Sequence, residues 1–70
     1  MLTVDLNRMR QLRESKMSLQ EMATRIGYHS ANGYYYLECG RSKISAATLA
    51  KVAVVLDVPI QELFTDQAEN

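Results

Sequence analysis

Apolar residues along this chain recur three and four positions apart in runs of two to three turns, and the runs break at serines, glycines and a single proline. Such spacing lines apolar side chains along one stripe of a helix. Leu6, Met9 and Leu12 form the first stripe after Asp5, a predicted N-cap, in a helix expected to end near Ser15 with Arg8, Arg10, Arg13 and Glu14 on its other faces. The second start is sharper. Ser18 with Glu21 three positions on reads as a capping box, in which each side chain accepts a bond from the other residue's orphaned backbone N–H, and Met17 with Met22 fits the accompanying apolar staple. Met22, Ala23 and Ile26 then supply the buried stripe, and Gly27 suits a left-handed residue just past the end.

After Tyr28-His29, Ser30 is predicted to cap a third helix with Tyr34 and Leu37 inward and Gly40 closing it. Ala31, Asn32, Tyr35 and Tyr36 are left toward solvent or a partner. Gly33 is unexpected inside a helix, where glycine costs about 1 kcal/mol relative to alanine. In a first turn the cost is smaller, and bare backbone can approach a ligand closely. Ser45 caps the fourth helix, Ile44 and Leu49 form a second staple, and Ala46, Leu49, Val52, Ala53 and Leu56 give a broad apolar face. Asp57-Val58-Pro59 is expected to stop it, since the residue before proline is pushed out of helical geometry. Pro59 then opens a short fifth helix that packs through Ile60, Leu63 and Phe64. The pattern predicts an all-α, compact five-helix domain over residues 1–64 and a polar tail over residues 65–70.

Length agrees with a single domain: a chain of 70 residues buries only about 60% of the surface it exposes when unfolded, too little for two cores. At 47% hydrophobic and 23% charged, the chain is too apolar to be a disordered segment. Charge changes the picture more. The formal net charge is zero, yet residues 1–43 carry Arg8, Arg10, Arg13, Lys16, Arg25, Arg41 and Lys43 against Asp5, Glu14, Glu21 and Glu38, whereas residues 44–70 carry Lys51 against Asp57, Glu62, Asp66 and Glu69. The first part is basic and the rest acidic, so a partner is expected on the basic side.

Cys39 is the only cysteine and His29 the only histidine, which excludes an internal disulfide and a zinc site built from His and Cys alone. With neither a signal-peptide pattern nor a membrane-length apolar run, a cytoplasmic location is expected. No paired-carboxylate signature, nucleophile triad or glycine-rich phosphate loop is present, so neither an enzyme, a cofactor nor a small-molecule ligand is expected. Gly27, Gly33 and Gly40 are spaced as helix punctuation.

Two adjacent short helices joined by a glycine-containing turn are the layout that carries function. The stretch from Met17 through Ser18-Leu19-Gln20-Glu21-Met22-Ala23, then Gly27, Leu37-Glu38-Cys39-Gly40-Arg41, Ile44 to Leu49, and Leu56 to Phe64 resembles the Cro/Xre-type helix-turn-helix domains of phage repressors and bacterial transcriptional regulators. The resemblance covers about residues 6–64. It implies a lambda-repressor-like fold whose third helix lies in the major groove. It also implies a structural pairing of Arg13, late in helix one, with Glu38, late in helix three. The chain departs from the family pattern at Leu19, where glutamine is common; Gln20 is the nearest residue able to inherit its phosphate contact. The turn Gly27 to Ser30 is a residue longer than usual.

The residues support DNA contact beside the resemblance. Capped helix starts at Ser18 and Ser30 present backbone N–H groups that suit phosphate. Arg41 and Lys43 follow helix three on a short loop and can reach the backbone beside a groove. For base reading, Asn32 can bond adenine bidentately and Ala31 can meet a thymine methyl. Tyr34 is read as core, Tyr35 as a DNA contact, and Tyr36 as open between the two. His29 is read as a loop residue near phosphate, Cys39 as a small residue near a helix end, and Met1, Met9, Met17 and Met22 as core filler. The expected partner is double-stranded DNA, bound by a homodimer on a roughly palindromic operator. Val54, Val55, Ile60 and Phe64 are candidates both for the dimer surface and for simple burial. The competing reading is a protein-interaction module of the same fold, an antitoxin or anti-repressor partner.

Overall fold

The computed structural model describes residues 1–66. Four α-helices, α1 (Leu6–Glu14), α2 (Leu19–Ile26), α3 (Ala31–Glu38) and α4 (Ala46–Leu56), enclose one core, and two short strands, β1 (Leu2–Val4) and β2 (Phe64–Asp66), bring the chain ends together. All four helices start at the residues the sequence nominates. Asp5 accepts from the Arg8 N–H, Ser18 from Glu21, Ser30 from Gly33 and Ser45 from Thr48, so each side chain satisfies one backbone donor that would otherwise be orphaned. The capping box at α2 is only half formed. The Glu21 carboxylate turns away to Arg25, 2.7 Å distant one turn along.

The core consists of Met9, Met22, Ala23, Ile26, Tyr34, Leu37, Leu49, Val52, Ala53, Leu56 and Leu63. The stripes read from the sequence are buried or, as at Leu6, Leu12, Met17, Ile60 and Phe64, half-buried against the core, whereas Ala46 is exposed on α4 and Met1 is exposed beside β1. Leu19, the departure from the family pattern, is half-buried against this core, which explains an apolar residue at that position.

The fifth helix is not an α-helix. Ile60–Leu63 is a single 3-10 turn, with Pro59 extended at φ −61° and ψ 142° before it and the Glu62 N–H bonded to the Pro59 carbonyl at 3.0 Å. Four residues cannot repay α-helix nucleation. The chain instead leaves the turn extended at Phe64 and pairs antiparallel with β1 in the register Leu2 to Asp66, Thr3 to Thr65 and Val4 to Phe64. Thr65 and Asp66, read as the start of a polar tail, are therefore in β2; residues 67–70 lie outside the described ones. Nor does Pro59 itself end α4. Asp57 adopts left-handed geometry (φ 59°, ψ 46°), and its N–H and that of Val58 close back onto Val54 and Ala53. Lys16, from the α1–α2 loop, donates its ammonium to the Leu56 carbonyl and places a cation at the negative end of α4.

Candidate nucleic-acid interface

α2 and α3 are joined by four residues, Gly27 to Ser30. Gly27 takes φ 90°, and the Tyr28 N–H returns to the Ala23 carbonyl at 2.8 Å, so the chain reverses sharply after α2. The Tyr28 ring then folds over Gly33 in the first turn of α3: a Cβ at that glycine would lie 2.9 Å from the ring's Cδ2. Gly33 thus makes room for a side chain of its own protein.

The far end of α3 is tied to α1 by the buried pair Arg13–Glu38. Arg13 donates from Nε to Glu38 Oε2 at 2.7 Å and from Nη2 to Oε1 at 3.1 Å, while its Nη1 reaches the Met17 carbonyl at 3.1 Å. A bidentate pair at this burial holds α1, the α1–α2 loop and α3 in one arrangement. The hydrogen bond to Glu38 outweighs burial and raises the Arg13 pKa, keeping the guanidinium charged. Beside the pair, the Tyr34 hydroxyl is buried with no hydrogen-bond partner among the described residues. Burial pushes its pKa up, and the Glu38 carboxylate acts in the same direction.

With both ends fixed, α3 turns Tyr34, Leu37 and Glu38 inward and leaves Asn32, Tyr35, Tyr36 and Cys39 exposed. The exposed positions fall three, four and seven apart, a single stripe of the helix. Cys39 completes that stripe, which its position near the helix end had hidden; its thiol lies 3.7 Å from the Tyr36 carbonyl. Ala31 is half-buried at the stripe's edge, and Ser30 is exposed at the helix start. Ser18 at the cap of α2 and Gln20 within it are exposed, and Gln20 donates to Thr24 Oγ1 at 3.3 Å. Arg41 and Lys43 stand exposed on the α3–α4 loop, Arg41 with its guanidinium carbon 5.7 Å from the Tyr36 ring centroid. All nine candidate residues accordingly lie on α2, α3, their N-caps Ser18 and Ser30, and the loop after α3.

Ion pairing sharpens the charge reading. Arg13 is committed to Glu38, Arg25 to Glu21 at 2.7 Å, and Arg8 leans on Glu62 at 3.8 Å. Among the described residues Arg10, Lys16, Arg41, Lys43 and Lys51 have no carboxylate partner; Lys16 is bonded to the Leu56 carbonyl, Lys51 lies on α4, and Arg41 and Lys43 directly follow α3. No group of three or more His, Cys, Asp or Glu residues able to hold a metal occurs among the described residues. No helix there is long and apolar enough to cross a membrane.

A pair of short capped helices joined by a tight four-residue turn, the second displaying a polar and aromatic stripe beside uncompensated cations, is the layout of a DNA-binding module of the helix-turn-helix class. Comparison with protein families matches residues 8–63 to a family described as helix-turn-helix, and the chain belongs to that family, whose members are DNA-binding transcriptional regulators and typically not enzymes. Comparisons with curated proteins and with solved structures gave no match.

Proposed function

We propose that the chain is a sequence-specific transcriptional regulator that binds a roughly palindromic operator as a homodimer, with α3 in the major groove. The observation that carries this reading is the exposed stripe Asn32, Tyr35 and Tyr36 on a helix whose opposite face is core, next to the unpaired cations Arg41 and Lys43. In this reading Asn32 reads a base edge, Ala31 brushes its neighbour from the stripe's margin, and Tyr35 faces the groove wall, with Tyr36 behind it against Arg41. Ser18, Gln20 and Ser30 line up the starts of α2 and α3 with phosphates, and Arg41 and Lys43 grip the backbone beyond the groove. Two copies related by a two-fold axis set their α3 helices about 34 Å apart on one face of the duplex. Val54, 79% exposed on α4, favours that face for the second copy, whereas Val55, Ile60 and Phe64 are partly buried against the core.

The test is enrichment of bound duplexes from a random-sequence pool, followed by variants on the winner. Asn32→Ala is expected to cost about 1–3 kcal/mol and relax preference at one position, while Arg41→Ala weakens every site alike. Unchanged preference in Asn32→Ala overturns the assignment of Asn32. Failure to bind duplex at any salt concentration favours the protein-interaction module instead.

A further inference from the structure

We infer that Tyr36 is a positioning residue, one that holds the Arg41 guanidinium ready for a DNA phosphate and does not itself touch DNA; the inference rests on the DNA-binding reading above. Tyr36 grips Arg41 at both backbone and side chain. Its carbonyl accepts the N–H groups of Arg41 at 2.9 Å and Ser42 at 3.1 Å, closing the turn in which Gly40 reverses the chain at φ 82°. Its ring lies under the guanidinium, 5.7 Å from centroid to Cζ, within the range where the negative face of an aromatic ring attracts a cation. The ring is braced in turn by Tyr35, whose centroid is 6.1 Å away at a tilt of 49°.

What the guanidinium lacks is as informative as what it touches. Arg13 and Arg25 each meet a carboxylate oxygen at 2.7 Å, whereas Arg41 makes no ion pair or side-chain hydrogen bond among the described residues. A ring beneath a guanidinium occupies its face and leaves the in-plane N–H donors open, and those are the groups that bind phosphate bidentately. An exposed arginine gives up much of its rotamer freedom on gripping a phosphate, and a ring that already restrains it lowers that loss. The attraction uses the ring and not the hydroxyl, so phenylalanine should replace Tyr36 and leucine should not.

The experiment measures affinity for a duplex enriched from a random-sequence pool, across a salt series, for wild type, Tyr36→Phe, Tyr36→Leu, Arg41→Ala and the double variant Tyr36→Leu/Arg41→Ala. Far-ultraviolet circular dichroism checks that each is folded, and the NMR shift of the Arg41 δ-methylene is read in the free protein. Tyr36→Phe is expected to match wild type in affinity and to keep the upfield ring-current shift. Tyr36→Leu is expected to lose the shift and to bind about two- to five-fold more weakly. Introduced into Arg41→Ala, it should cost nothing further. Equal losses in Tyr36→Phe and Tyr36→Leu would make the hydroxyl a direct contact and overturn the proposal, as would a Tyr36→Leu loss that persists without Arg41, or no loss at all. An unshifted δ-methylene in the wild type overturns this role alone; a wild type that binds no duplex overturns the DNA reading, and the role with it.

Discussion

A buried hydroxyl that finds no partner forfeits about 1–3 kcal/mol of hydration, and Tyr34 carries such a group beside the Arg13–Glu38 pair. Its ring fills the centre of the core, fully buried, so the aromatic volume is needed and the oxygen is not. Tyr34→Phe is expected to raise stability at neutral pH by about 1 kcal/mol, read as a higher urea midpoint at unchanged slope. The alkaline arm follows from the raised pKa. Above the ordinary tyrosine value of 10.0 the unfolded chain sheds this proton while the folded chain keeps it, so the folded state binds more protons and stability falls as pH rises. That contribution is fully present below the ordinary value and lost above it. Tyr34→Phe lacks the proton altogether, and its advantage over wild type should widen by up to about 1.4 kcal/mol per pH unit in that range. Parallel stability curves for the two proteins between neutral and strongly alkaline pH would show that the hydroxyl is hydrated after all.

Between elements, the orientation of α3 depends on a contact that no helical period announces. Gly33 ought to be better as alanine, by up to about 1 kcal/mol of helix propensity. Tyr28 forbids it, because the added methyl would sit 2.9 Å from Cδ2 of a half-buried ring rather than from a flexible tip. Overpacking of this kind costs about 1–3 kcal/mol, so Gly33→Ala is expected to destabilise the wild type yet stabilise Tyr28→Ala, where the ring is gone. A double-mutant cycle on urea midpoints measures the reversal; the same sign in both backgrounds would leave Gly33 unexplained. Tyr28 also marks how far the sequence reading reaches at this scale. Caps and stripes were legible because they depend on residues three and four apart, and the Arg13–Glu38 pair was legible only through the resemblance. The strands were not: Leu2–Val4 and Phe64–Asp66 are three residues each, too short to display a two-residue period, and they pair across most of the chain. Lys16 on the Leu56 carbonyl is likewise a contact across forty positions. Of the interface, Asn32, Tyr35 and Tyr36 were readable as an outward stripe, while the engagement of Arg41 by Tyr36 required the turn at Gly40.

Across the whole molecule, the count of basic residues and the count of available cations give different quantitative expectations for DNA. Each phosphate neutralised contributes a slope of about −0.9 to log Kobs against log salt. If all seven basic residues among positions 1–43 met phosphates in both copies of a dimer, the slope would be about −13. The structure leaves far fewer. Arg13, Arg25 and Arg8 face Glu38, Glu21 and Glu62, and Lys16 is spent on the end of α4. Arg41 and Lys43, with or without Arg10, remain for each protomer, which gives about four to six phosphates per dimer and a slope of about −4 to −5. A shallow slope also means that sequence-independent attraction is weak, so discrimination must come from the base-facing stripe of α3 and from joining two half-sites. Titration of a labelled operator duplex at several salt concentrations measures the slope directly, and Glu21→Gln, which releases Arg25 while removing a repulsive charge from the start of α2, should steepen it by at most about one unit per protomer. A wild-type slope near about −13 would mean that the internal ion pairs open on DNA, and the interface would then extend well beyond α2, α3 and their following loop.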